Sequence, residues 1–166
     1  MLQDTYVKTV EWLAIGCLAA MVVISFASTA IRYLVPGLGG IYWAEEVTRY
    51  ASIWMVFLAS GLGVRYGVHL KVDLLTARLP AGVQHALNAF CCVLMLGFEA
   101  VLVWFGTVVT ISNMDQQSTS LEMPMGVVYA AIPVGGVLMI FETARVLIAT
   151  LRGRDLAQAA IQRQVD

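Results

Sequence analysis

The sequence predicts an all-α integral membrane protein, a single domain over residues 1–166 with four transmembrane helices at roughly 10–34, 43–66, 82–112 and 124–151. Three observations carry that prediction. Of 166 residues, 60% are hydrophobic and only 13% charged, whereas a soluble domain carries ~25% charged residues. The apolar residues fall in blocks of the length a bilayer demands, roughly 20 residues per helix. The Lys and Arg residues collect on one side of the helices those blocks define, as the positive-inside rule requires.

Trp12 to Ile31 is free of charge and makes the first span. It does not read as a cleavable signal, because Asp4 and Glu11 dilute the single cation Lys8 and no soluble mature region follows. Pro36, Gly37, Gly39 and Gly40 then turn the chain. The second span, Tyr50 to Val64, is short, and it reaches bilayer length if Arg49 and Arg65 snorkel toward the headgroups. Tyr42 and Trp43 suit an interfacial belt at its start.

Between the second and third spans, Val68, Leu70, Val72, Leu74 and Leu75 interleave with His69, Lys71, Asp73 and Arg78. The alternation resembles a strand, but a lone strand would leave both edges unpaired. A short amphipathic cytoplasmic segment, or an extension of the second helix, is the better reading. Ala86 to Met114 supplies the third span, interrupted by Glu99. Met123 to Phe141 supplies the fourth. Pro80 and Pro124 suit first positions of helices. Pro133, inside the fourth helix, is expected to bend it or free the carbonyl of Tyr129. Residues 152–166 form a charged cytoplasmic tail.

Lys8, Arg65, Lys71, Arg78, Arg145, Arg152, Arg154 and Arg163 fall on one side of this topology, and only Arg32 and Arg49 on the other. Both termini and the 65–85 connection are therefore expected in the cytoplasm. No basic patch suggests nucleic acid. Cys17, Cys91 and Cys92 lie inside apolar spans without a CxxC pair and read as packing residues. His69 and His85 lie outside the spans, where they could not serve as axial ligands to a haem inside a helix bundle. No catalytic residue, cofactor or metal site is expected. The absence of an internal repeat weighs against a self-contained transporter.

Two polar features stand out. Glu45 and Glu46 lie four and three residues before Arg49, on one helix flank, with Arg32 one loop away. This is either an ion-pair node that docks a partner or a helix cap whose carboxylates favour the N-terminal dipole. Glu99 is an intramembrane carboxylate, costing ~2.5–3.5 kcal/mol if charged, and is either functional or hydrogen-bonded to Ser, Thr or Trp on a neighbouring helix. Glu142 pairs with Arg145 near the rim and draws less attention.

The order and spacing of several short stretches match a known family. They are IRY from Ile31, WAEEVTR from Trp43, IWMVFL from Ile53, RYGVHLKVD from Arg65 and RLP from Arg78, then QSTSLEMP from Gln117 and YAAIPVG from Tyr129. With these the chain resembles the small membrane (DctQ-like) subunit of tripartite ATP-independent periplasmic (TRAP) transporters, over nearly its whole length except the ends and most of the third helix. The resemblance implies a non-catalytic small permease subunit in the bacterial inner membrane. Its partners would be a large multi-helix permease that holds the substrate and sodium sites, a periplasmic substrate-binding protein that delivers an organic acid, and membrane lipids. On this reading Trp43, Glu45, Glu46 and Arg49 lie at the periplasmic face, and His69 and Asp73 organise the cytoplasmic connection. The competing reading is an autonomous small proton-coupled exporter, which would want its carboxylate in the first helix rather than at Glu99.

Overall fold

The computed structural model describes residues 2–34, 41–65 and 81–152. They form α1 (Leu2–Leu34), α2 (Tyr42–Arg65), α3 (Ala81–Ser112), the short α4 (Met125–Tyr129) and α5 (Ala131–Leu151). Four stretches are long and apolar enough to cross a membrane: Tyr6–Leu34, Tyr42–Arg65, Gly82–Ser112 and Met125–Leu151. The four spans expected from the apolar blocks are therefore present. The 68–75 amphipathic segment and the 153–166 tail lie outside the described residues.

The last span is α4 and α5 in series. Pro124 caps α4 in an extended conformation (φ −60°, ψ 124°), and Ala130 joins the two helices at φ −58°, ψ −21°. Pro133 has no N–H to give the carbonyl of Tyr129, so the helical ladder loses a rung where α4 ends. The interruption stays slight because the flanking bonds form: Ala130 N–H reaches the Gly126 carbonyl at 2.9 Å and Val134 N–H reaches that of Ala130 at 3.2 Å.

The helices pack as an open row in the order α1, α2, α5, α3, rather than as a closed bundle. Among the described residues the major contacts are α1 on α2, α2 on α5 and α5 on α3, and the edge helices α1 and α3 are not packed on one another to any extent. Neighbours α2 and α5 run parallel, so contacts advance together along both: Phe57 with Gly135, Gly61 with Leu138, Arg65 with Glu142. The α3 and α5 helices run antiparallel, pairing Gly106 with Ile132, Val103 with Gly136 and Glu99 with Thr143.

Central α5 needs two flat flanks, and two adjacent glycines supply them. A Cβ on Gly135 would lie 2.6 Å from Cβ of Phe57 on α2, and one on Gly136 would lie 2.7 Å from Cγ2 of Val103 on α3. Without side chains there, both neighbouring backbones approach closely. The apolar core lies toward the end of the row that carries the N-terminus, where Val7, Val10, Leu58 and Leu62 cluster with Tyr6, Trp54 and Leu138. Elsewhere the row is apolar and open, with Trp12 and Phe26 on α1 and Phe98 and Trp104 on α3 each more than 60% exposed. Helices apolar all round belong in a lipid or partner-covered setting. The cysteines are unpaired: Cys92 is buried in the packing, Cys17 and Cys91 partly so.

Candidate functional site

Among the described residues, polar side chains gather at four places along this row. At the end carrying the 113–124 loop, Glu46 in the first turns of α2 is buried (7% exposed). Its Oε1 accepts the Ser120 N–H at 3.1 Å and its Oε2 the Leu121 N–H at 3.2 Å. The loop is itself closed by Ser118 N–H to the Met123 carbonyl (3.0 Å) and Met125 N–H to the Gln116 carbonyl (2.7 Å). Closure puts Glu122 at φ +51°, left-handed backbone that non-glycine residues seldom adopt. Two successive amides aimed at one carboxylate form a small anion nest. Glu46 thus ties the WAEEVTR and QSTSLEMP stretches into one element.

Its neighbours face elsewhere. Arg32, Glu45 and Arg49 are exposed and line a groove between α1 and α2, with Ser25, Ser28 and Thr48 deeper in it. No ion pair joins Glu45 or Glu46 to Arg32 or Arg49 among the described residues. The hydroxyls of Thr48 and Ser52 donate to the backbone carbonyls of Ala44 (2.8 Å) and Arg49 (2.7 Å), and Ser25 lies 3.4 Å from Thr48. Trp43, 48% exposed, borders a separate shallow depression with Ile41, Tyr42 and Ser120.

At the opposite end, Glu142 on α5 is 2% exposed and takes two guanidinium groups. Arg145, one turn on, donates to Oε2 at 3.1 Å and Oε1 at 3.2 Å, while Arg65 of α2 brings Nη1 to 3.5 Å from Oε1. The Arg145 guanidinium also stands 5.7 Å over the Phe141 ring, which meets Tyr6 of α1 edge-on at 6.1 Å. The buried carboxylate thereby links α2 to α5, and the neighbouring Phe141 ring carries the contact on to α1. Sequence reasoning found the Arg145 pair and missed the burial and the Arg65 partner. The signal was present, since Arg65 and Glu142 close their spans at the same level, but using it required knowing that α2 and α5 are parallel neighbours.

Glu99 is fully buried between α3 and α5. Its Oε1 accepts the Thr143 hydroxyl at 2.7 Å, and its Oε2 has no hydrogen-bond partner among the described residues. The hydrogen-bonded arrangement with a Thr of a neighbouring helix is thus the one the structure shows. His69 and Asp73 lie outside the described residues. No three His, Cys, Asp or Glu side chains among the described residues are grouped to hold a metal ion.

Comparison with known proteins agrees with this architecture. The family described as tripartite ATP-independent periplasmic transporters, DctQ component, matches residues 21–153. The C4-dicarboxylate TRAP transporter small permease protein DctQ of Rhodobacter capsulatus is 33% identical over 138 residues, covering 78% of this chain and 59% of that protein. The protein of the same description in Vibrio cholerae is 26% identical over 168 residues, covering 87% of this chain and 72% of its own length. The isethionate TRAP transporter permease protein DctMQ of Oleidesulfovibrio alaskensis is 28% identical over 134 residues, which is 77% of this chain but only 21% of that longer protein.

Proposed function

We propose, from the premise that this chain belongs to the family of DctQ components of tripartite ATP-independent periplasmic transporters, that it is a scaffold for a larger permease subunit. The family is one of transporter components and not of enzymes, and the chain is a multi-pass membrane protein. The observation that carries the scaffold reading is the match to about a fifth of DctMQ, a permease protein whose remaining length leaves room for a large fused partner. The open helix row supports it. A row whose edge helices expose large apolar side chains offers a broad wall for other helices.

In this reading the large permease binds and moves an organic acid with a sodium gradient, and a periplasmic binding protein delivers it. The chain sits in the inner membrane with both termini in the cytoplasm. Charge supports that orientation: Lys8, Arg65, Arg145 and Arg152 share one end of the row, and only Arg32 and Arg49 lie at the other among the described residues. The end bearing Trp43, Glu45, Arg49 and the Glu46-latched loop then faces the periplasm and contributes to docking. Arg65, with Glu142 and Arg145, braces the cytoplasmic end, where His69 and Asp73 organise the connection to α3. The exporter reading finds no support, because Glu99, the carboxylate it would use, is sealed between α3 and α5.

Affinity purification of the tagged chain from native membranes in mild detergent tests the proposal. A large polytopic permease at one-to-one stoichiometry is expected. A homodimer without a larger companion, or solute transport by the purified chain alone in liposomes, would overturn it.

A further inference from the structure

The two cations that stand alone at the loop end of the row converge on one place. Arg32 closes the stripe Met21, Ser25, Ser28, Arg32 on α1, spaced four, three and four residues, and so on a single helix face. Facing it, Glu45, Arg49 and Ser52 follow the same spacing on α2. Between them lies an open groove of about 360 Å³. Among the described residues, neither guanidinium has an ion-pair partner and the single carboxylate lining the groove is Glu45.

Arg32 is two residues from the end of its span. Arg49 is seven residues inside the start of α2, about 10 Å at the helical rise, a depth from which an arginine reaches the headgroup layer. The groove is therefore graded. Positive and negative groups stand at headgroup level, hydroxyls of Ser25 and Ser28 lie one to two turns deeper, and Val22 and Phe26, next in sequence to the lining residues Met21 and Ser25, are exposed apolar side chains. A glycerophospholipid has the same gradient: a charged headgroup, then ester carbonyls that accept hydrogen bonds, then acyl chains.

We propose that this groove holds one phospholipid whose headgroup carries both a phosphate and a primary ammonium, that is, a phosphoethanolamine lipid. The two guanidinia take the phosphate oxygens, for which their planar forks are suited. Glu45 accepts the ammonium, and the serine hydroxyls donate toward the ester carbonyls. An anionic headgroup without an amine would satisfy the arginines and leave the Glu45 carboxylate facing added negative charge. A protein helix would have to bring both signs of charge to this spot, whereas one phosphoethanolamine headgroup supplies both. The inference rests on the membrane-spanning architecture alone and is independent of the scaffold reading.

The test is native mass spectrometry of the purified full chain, together with any permease that co-purifies, after delipidation and titration with defined lipids. Wild type is expected to retain one phosphatidylethanolamine per chain in preference to phosphatidylglycerol and phosphatidylcholine. Each of Arg32→Gln and Arg49→Gln is expected to weaken retention about tenfold, the size of one charge-assisted hydrogen bond. Glu45→Gln is expected to abolish the preference for phosphatidylethanolamine over phosphatidylglycerol. Ser28→Trp, which fills the groove and leaves every charge in place, is expected to expel the lipid without affecting co-purification. Unchanged retention in the arginine variants, equal retention of the three lipids by wild type, or capture of a protein rather than a lipid by a photo-crosslinker at position 28 would overturn the proposal.

Discussion

On its α2 flank, α5 buries Glu142 against the guanidinia of Arg65 and Arg145, whereas on its α3 flank, one residue later, Thr143 gives a single hydroxyl hydrogen bond to the equally buried Glu99. The two carboxylates lie in the same half of the row, yet they are accommodated by different chemistry. Glu142 has charge to meet charge, near the helix ends, where the long arginine stems still reach the headgroup layer. Glu99 stands at the same level of α5, among groups that offer one hydroxyl, and the carboxylate oxygen turned away from Thr143 is left without a partner among the described residues. The difference teaches that an acidic residue in an apolar helix has no fixed meaning. The donors that the neighbouring helix brings to its level decide what it does.

The contrast can be broken most forcefully at Glu142. Replacing it with alanine strands Arg65 and Arg145 without their shared carboxylate, and breaking a buried pair of this kind costs about 3 kcal/mol or more. A marked fall in the melting temperature of the detergent-solubilised protein is expected. An unchanged melting temperature would mean that the node is wetter than its burial implies. Next in size is the third buried carboxylate. Glu46→Ala removes the acceptor of the Ser120 and Leu121 amides, so hydrogen exchange should accelerate at those two positions while the spans stay protected. Assembly with the large permease proposed as its partner should also weaken. If both readouts are unaltered, the loop holds its shape without the latch.

The α3 flank should be more forgiving. Thr143→Val deletes one interhelical hydrogen bond, a loss of about 0.6 kcal/mol by the average for membrane helices. A shift as large as that of Glu142→Ala would show the two flanks to be energetically alike. Smallest of all is Gly97→Ala. It lies on α3 two residues before Glu99 and has nothing within 4 Å of an added Cβ, so stability should move by less than about 0.5 kcal/mol. Its counterpart Gly135→Ala, where Phe57 stands 2.6 Å away, should cost about 1–3 kcal/mol in the same assay.

The spans were legible because bilayer thickness acts on each segment separately, and Trp12 to Ile31 or Met123 to Phe141 can be recognised without reference to the rest of the chain. The interruption before Pro133 was legible for the same reason, since a missing N–H is a local fact. That the adjacent glycines at 135 and 136 serve two different neighbours, α2 and α3, shows only in the packing. What escaped were the long-range partnerships. Glu46 reads as either part of an ion-pair node with Arg49 or a helix-capping carboxylate, and in the structure it finds two backbone amides 74 and 75 residues away. Backbone donors leave no side-chain signature for a pattern to match. Glu142 reads as a rim pair with Arg145, because nothing local reveals that Arg65 stands beside it. The neighbour order α1, α2, α5, α3 was the missing information in both cases.

That order also dictates how the protein is built. Spans enter the bilayer in the order of synthesis, so α1 with α2 and α3 with α4 and α5 arise as two antiparallel hairpins of consecutive segments. The seam between the hairpins is the parallel contact of α2 with α5, whose second partner is the fourth of the described spans. Until that span inserts, Phe57, Gly61 and Arg65 have no counterpart. The seam joining the two hairpins is made where the Gly135 notch meets Phe57 and Glu142 meets Arg65.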